Sequence, residues 1–193
     1  MRGTYNLLTY VAKAALPLPA MFNPKLKLFV EGRKKVFKQL EKIDFSEDWV
    51  WFHAASLGEF EQAVPIMEAI KENYPTYKIL VSFYSPSGYE NKKKHPLADA
   101  IVYLPLDTPK NAKRFVSIIK PKLAFFIKYD IWPNFLKELQ IQNIRTFLIS
   151  GAFRKDQIYF KPYGGLFREA LRVFEHIFLQ NETSKELLKT INI

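Results

Sequence analysis

From Trp49 onward, short apolar runs rich in β-branched and aromatic residues alternate with amphipathic segments. That rhythm constrains the chain more than anything else in it. Apolar runs of four to eight residues bounded by turn formers read as buried strands, and helical stretches between them imply βα units feeding a parallel sheet. The pattern predicts strands near Val50–Ala55, Ile79–Tyr84, Ala100–Leu104, Leu123–Tyr129, Arg145–Ile149 and Phe174–Leu179. Helices are expected at Phe60–Glu72, Ser87–Lys94, Asn111–Ile119, Asn134–Gln140 and Tyr163–Val173, with a last one beginning at Glu182 or Thr183 and running out at Ile193. The expectation is an α/β domain over residues 48–193, a Rossmann-like parallel sheet flanked by helices, preceded by a helical arm over residues 1–47. An ending inside a helix, with no capping glycine or polar tail, leads us to expect part of a longer protein.

With 193 residues, 48% of them hydrophobic and 16% aromatic, the chain can bury a core of its own. It has no cysteine, which excludes disulfides, thiolate metal sites and cysteine nucleophiles together. The 29 Lys and Arg against 19 Asp and Glu leave a net charge of +10, which favours anionic partners. Nucleic acid is disfavoured among these, because no aromatic-basic signature of an RNA-binding sheet is present. Anionic lipids and phosphorylated substrates remain.

The arm supports the lipid reading. Tyr5 to Phe22 is apolar but interrupted by Lys13, Pro17 and Pro19, so a simple spanning helix is not expected. Lys25, Lys27, Arg33, Lys34 and Lys35 follow it. Apolar burial and charge attraction add, so the arm is expected to face an anionic membrane surface with these five residues; the competing reading is a core-covering helix followed by a solvated charged one.

In an open α/β sheet, ligands bind outside the carboxyl ends of the strands. The segment Trp51-Phe52-His53-Ala54-Ala55-Ser56-Leu57-Gly58-Glu59 puts a small-residue turn between a strand and a helix, with Glu59 at the helix start. A carboxylate there either complements the helix dipole or serves as a base whose strength burial can tune. His53, inside the strand, reads as a satisfied core histidine. Ser85-Pro86-Ser87-Gly88 either presents donors to an anion or caps a helix. No phosphate loop, dinucleotide fingerprint or Asp-x-Asp pair occurs, so a metal-free chemistry without a bound cofactor is expected.

Taken in order, the run from Trp51 to Glu59, Ser85-Pro86-Ser87-Gly88, Tyr103-Leu104-Pro105-Leu106-Asp107, Pro121-Lys122-Leu123, Trp132-Pro133-Asn134 and Gln180-Asn181-Glu182 resembles the N-terminal domain of 3-deoxy-D-manno-octulosonic acid (Kdo) transferases. The resemblance implies the N-terminal half of a GT-B glycosyltransferase that moves Kdo from CMP-Kdo to a lipid A precursor, at the cytoplasmic face of the bacterial inner membrane. It implies Glu59 as general base, and a C-terminal domain, absent here, as the holder of CMP-Kdo. Acceptor contacts are expected from Ser56, Gly58, Ser87, Gly88, Lys128 and Asp130, with Lys128 a candidate for a lipid phosphate and Asp130 for a sugar hydroxyl. This chain reads Lys128-Tyr129-Asp130 where the family often has Glu-Thr-Glu, and Gly151-Ala152-Phe153-Arg154-Lys155 where it often has Asn-Ala-Arg-Leu-Ser. The alternatives are a non-catalytic anionic-lipid-binding module and a GT-B lipid glycosyltransferase with another donor.

Overall fold

The computed structural model describes all 193 residues. Three helices come first: α1 (Arg2–Ala15), α2 (Pro17–Ala20) and α3 (Pro24–Leu40). Asn23 starts α3, its side chain accepting from the backbone N–H of Lys25 and Leu26, with Pro24 preset for the first turn. Strict β/α alternation follows: β1 (Trp49–Ala54), α4 (Leu57–Asn73), β2 (Lys78–Phe83), α5 (Pro86–Lys92), β3 (Ala100–Tyr103) and α6 (Pro109–Ile119). The second half runs β4 (Leu123–Ile127), α7 (Pro133–Ile141), β5 (Arg145–Gly151), α8 (Gly165–Leu171), β6 (His176–Leu179) and α9 (Glu182–Lys189).

All pairings are parallel and the strand order is β3-β2-β1-β4-β5-β6. The order reverses between β1 and β4, and at such a switch point the loops leave in opposite directions and open a crevice. Every residue of β1 is buried, because helices cover both faces of the sheet. The period-two alternation sends Trp49 and Trp51 to one core, and Val50, Phe52 and Ala54 to the other. In the larger core Trp51 meets Phe115, Phe126 and Phe135 at centroid distances of 5.1, 5.2 and 5.9 Å, in tilted and edge-on geometries that aromatic quadrupoles favour.

The expected strands and helices are all present, with shifted ends. β4 stops at Ile127 rather than Tyr129 because Lys128 adopts a left-handed backbone, φ 63°, which takes the chain out of the sheet. α9 ends at Lys189, short of Ile193.

α3 belongs to the domain's packing as much as to the arm. Val36 and Leu40 are buried in the larger core, and a Cβ added at Gly32 would meet the Tyr103 ring at 2.3 Å, so only glycine allows this approach. α1 buries no residue and leaves Leu7, Leu8 and Val11 exposed. It meets the domain through Tyr5 and Asn6: the Tyr5 hydroxyl donates to Asp107 Oδ2 at 2.7 Å, the Tyr5 ring sits edge-on to Phe167 at 5.8 Å, and Asn134 Nδ2 donates to Asn6 Oδ1 at 3.0 Å. No helix is long and apolar enough to cross a membrane.

Asp107 is the pin of this arrangement. Besides Tyr5, it accepts the backbone N–H groups of Asn134 and Phe135, each at 3.0 Å, capping α7 from across the sheet. Burial pushes its carboxyl up to about 6, against the lowering effect of those donors. A carboxyl raised in the folded state binds its proton more tightly there than in the unfolded chain. Its stabilising contribution is therefore full below the ordinary aspartate range and is lost as pH rises through about 6. We expect the stability difference between wild type and Asp107→Asn to fall by on the order of 2 kcal/mol between pH 4 and 7, measured from urea midpoints. A difference independent of pH would refute this.

Candidate functional site

The loops after β1 and β4 form the two walls of the switch-point crevice. On the β1 side, the chain turns at Ala55 and Ser56 into α4, placing Glu59 at the third helical position of a capping box. Glu59 Oε2 accepts the backbone N–H of Ala55 at 2.6 Å and of Ser56 at 3.1 Å. Oε1 accepts nothing and is not sealed from solvent, although the residue is only 7% exposed. One oxygen fixes the carboxylate and the other is free to take a proton. Burial, then the charge of Asp130, raises the Glu59 carboxyl above the ordinary glutamate range; the two N–H donors and Lys128 hold it down.

The β4 side supplies Lys128, Asp130 and Trp132. The left-handed backbone at Lys128 is unusual for a non-glycine residue, and Ser150, at the bulged end of β5, has φ 54°. Strained backbone of this kind is characteristic of functional loops. Asp130 Oδ2 lies 2.6 Å from His53 Nε2 and accepts from Trp132 Nε1 at 2.9 Å, while Oδ1 has no protein partner. Trp132 Nε1 also lies 3.0 Å from His53 Nε2, so imidazole, carboxylate and indole meet at one point. His53 is anchored on its other side, Nδ1 lying 2.8 Å from Ser82 Oγ, which in turn accepts from Trp51 Nε1 at 2.8 Å. The result is a chain of contacts from the core aromatic Trp51 to the crevice carboxylate Asp130.

Tyr84 stacks on Trp132 at 4.7 Å and continues the crevice wall toward β2. A carboxylate pair beside aromatic faces suits a sugar, whose hydroxyls need acceptors and whose C–H faces pack on rings.

The other expected contacts divide. Ser56 caps α4 beside Glu59, and Gly58 is exposed, with nothing within 4 Å of a Cβ added there. Ser87 is exposed at the start of α5, its hydroxyl 2.7 Å from that of Ser85. Gly88, in contrast, is buried against Phe83, whose ring an added Cβ would meet at 2.5 Å, and it packs α5 on β2.

Lys25, Lys27, Lys34 and Lys35 are exposed on α3, whereas Arg33 turns inward and leaves the membrane-facing set. Its guanidinium lies 3.4 Å from the Phe29 centroid and 4.6 Å from that of Tyr84, and its Nη2 donates to the Tyr84 carbonyl at 2.7 Å. Desolvation lowers it to about 10, the opposite of what a solvated membrane contact would do. His53, read from sequence as a core residue, is fully buried yet touches the site.

Comparison with known proteins agrees with this architecture. Residues 26–193 match the sequence model of the family described as 3-deoxy-D-manno-octulosonic-acid transferase (kdotransferase). The chain is 34% identical over 105 residues to the 3-deoxy-D-manno-octulosonic acid transferase of Haemophilus influenzae, covering 53% of this chain and 24% of that protein. It is 28% identical over 158 residues to the enzyme of the same name from Aquifex aeolicus, covering 81% of this chain and 40% of that one. A bifunctional glycosyltransferase/methyltransferase of Fusobacterium nucleatum is 28% identical over 195 residues, 97% of this chain and 29% of its own. The chain thus spans well under half the length of these relatives. Among solved structures, UDP-GlcNAc 2-epimerase from Neisseria meningitidis bound to UDP-GlcNAc superposes with a TM-score of 0.54 at 14% identity, over 75% of this chain and 44% of that one. That likeness shows the fold, a GT-B-type half. The sequence match and the parallel sheet together place this chain in the Kdo transferase family, as its N-terminal domain.

Proposed function

We propose that this chain is the acceptor-holding half of an enzyme that transfers Kdo from CMP-Kdo to a lipid A precursor, with Glu59 as general base. The observation that carries the reading is the Glu59 carboxylate, fixed through Oε2 and free at Oε1, in the switch-point crevice of a Kdo-transferase-family domain. An acceptor sugar hydroxyl is a poor nucleophile until its proton has somewhere to go. As the hydroxyl oxygen bonds to the anomeric carbon of Kdo, Glu59 takes that proton and the bond from anomeric carbon to phosphate oxygen breaks, releasing CMP. Asp130 Oδ1 is free to orient a neighbouring hydroxyl, and Lys128 to meet an acceptor phosphate. Chemistry of this kind needs no metal. CMP-Kdo is held by a second domain, in the part of the relatives that this chain does not span.

The arm completes the proposal. α1 and α2 present an apolar outer side, and Lys25, Lys27, Lys34 and Lys35 flank it, which supports attachment to the anionic inner membrane from the cytoplasmic face.

The 193-residue chain alone is expected to bind a lipid A precursor in detergent micelles, yet to release no CMP from CMP-Kdo. The full-length enzyme is expected to keep its turnover in excess chelator. Failure of the isolated chain to bind acceptor would count against the reading, and chelator inhibition would overturn the metal-free chemistry.

A further inference from the structure

Away from the crevice, a cleft of about 370 Å³ opens between the arm, α3 and the start of α6. Neither Glu59 nor Asp130 lines it. Five cations do, drawn from three helices: Lys13 of α1, Arg33 and Lys34 of α3, and Lys110 and Arg114 of α6. No acidic side chain is among the lining residues. Arg114 is held by Glu41 at 2.6 Å, but Lys13, Lys34 and Lys110 take part in no ion pair. Arg33 Nε is buried without any hydrogen-bond partner. The first turn of α6 also lies at this cleft, with no acidic residue to offset its positive dipole end.

Cations gathered from three elements around one cleft, with no carboxylate among them, make a locally positive site that favours an anion. The remainder of the cleft is apolar, with Leu16, Phe29, Val30 and Phe37 on its walls, so a bare inorganic anion would leave half of it unused. Next to it is the tip of the arm, where Leu18, Met21 and Phe22 are 68%, 75% and 88% exposed; Pro17, Val30 and Lys34 line both the cleft and the hollow at Met21.

We infer that this cleft binds one anionic phospholipid of the bilayer, its headgroup phosphate among Lys13, Lys34 and Lys110 and its acyl chain running out along the apolar walls toward the tip. The inference rests on the reading that the arm lies on a membrane, and it adds a discrete site to what would otherwise be diffuse attraction. Arg33 links the site to the crevice, since its Nη2 holds the Tyr84 carbonyl and Tyr84 stacks on Trp132, which donates to Asp130.

The test uses the whole 193-residue chain and monomeric dihexanoyl-phosphatidylglycerol, followed by calorimetry, so that no bilayer is involved. One lipid per chain is expected. A Lys34→Gln/Lys110→Gln variant is expected to bind it roughly tenfold or more weakly, as two cations near an anionic lipid warrant. The charge-matched Lys25→Gln/Lys35→Gln variant, whose residues line neither the cleft nor the hollow at Met21, should bind it as wild type does. Equal weakening in both variants, tighter binding of inorganic phosphate or of a phosphorylated glucosamine than of the lipid, or no saturable binding would each overturn the site. The arm reading is tested separately with phosphatidylcholine vesicles containing phosphatidylglycerol, which a chain lacking residues up to Phe22 is expected to bind weakly. If that deletion binds vesicles as wild type does, the arm reading fails, whatever the monomeric lipid shows.

Discussion

In the full-length enzyme, Glu59→Gln is expected to lose Kdo transfer by roughly 10²–10⁴-fold, the usual contribution of a general base, while acceptor affinity stays near wild type. The amide keeps the shape of the side chain, and its oxygen can still accept from the backbone N–H groups of Ala55 and Ser56 that hold the carboxylate now. It cannot take a proton. A loss confined to turnover, with the helix start intact, separates the chemical role from the capping role, because a residue of purely structural value would lower stability and leave turnover per folded molecule unchanged. Retention of near-normal transfer would reduce Glu59 to a cap of α4.

Trp51→Ala is expected to destabilise the domain by about 3–5 kcal/mol, the range for emptying a large aromatic site in a core. Trp51 is fully buried among Phe115, Phe126 and Phe135, and three rings cannot close over the space of an indole. Trp51→Phe should recover most of that stability but not all of the activity. It retains the ring packing and removes the Nε1 donor to Ser82 Oγ, the hydroxyl on which His53 rests before reaching Asp130. Urea unfolding of both variants, with transfer assayed on the folded fraction, separates packing from positioning. Equal stability of wild type and Trp51→Ala would contradict the placement of this ring.

The sheet was legible because its signal is local and repeated: buried parallel strands are continuous apolar runs, and each is followed by a turn and an amphipathic helix. Glu59 was legible for a related reason, since a small-residue turn and an acid three residues into a helix are close together in the chain. What escaped is held together by distant residues. Asp107 acts on Tyr5, Asn134 and Phe135, and nothing near Asp107 in the sequence names those partners. A histidine in an apolar strand gives no sign that an aspartate 77 positions away will meet it.

Arg33 was misplaced by counting charges along the chain instead of around the helix. Phe29, Arg33 and Phe37 are spaced by four and share one side of α3, and that spacing was available as a warning that Arg33 packs inward. At Gly88 the ring of Phe83 takes up the space the missing side chain leaves, a packing role its serine neighbours do not reveal.

On the proposed mechanism Glu59 is a base whose strength is set first by burial and then, across the crevice, by Asp130 and Lys128. The acidic limb of the pH profile of kcat/KM for the full-length enzyme tests it most directly, because that limb reports the essential base of the free enzyme. Activity needs the ionised carboxylate, so it should fall as pH drops through a value above the ordinary glutamate range, where burial and Asp130 have raised it. Asp130→Asn should move the limb to lower pH and Lys128→Gln to higher pH, since the first removes a repelling charge and the second an attracting one. A limb at the same pH in wild type, Asp130→Asn and Lys128→Gln would contradict the account.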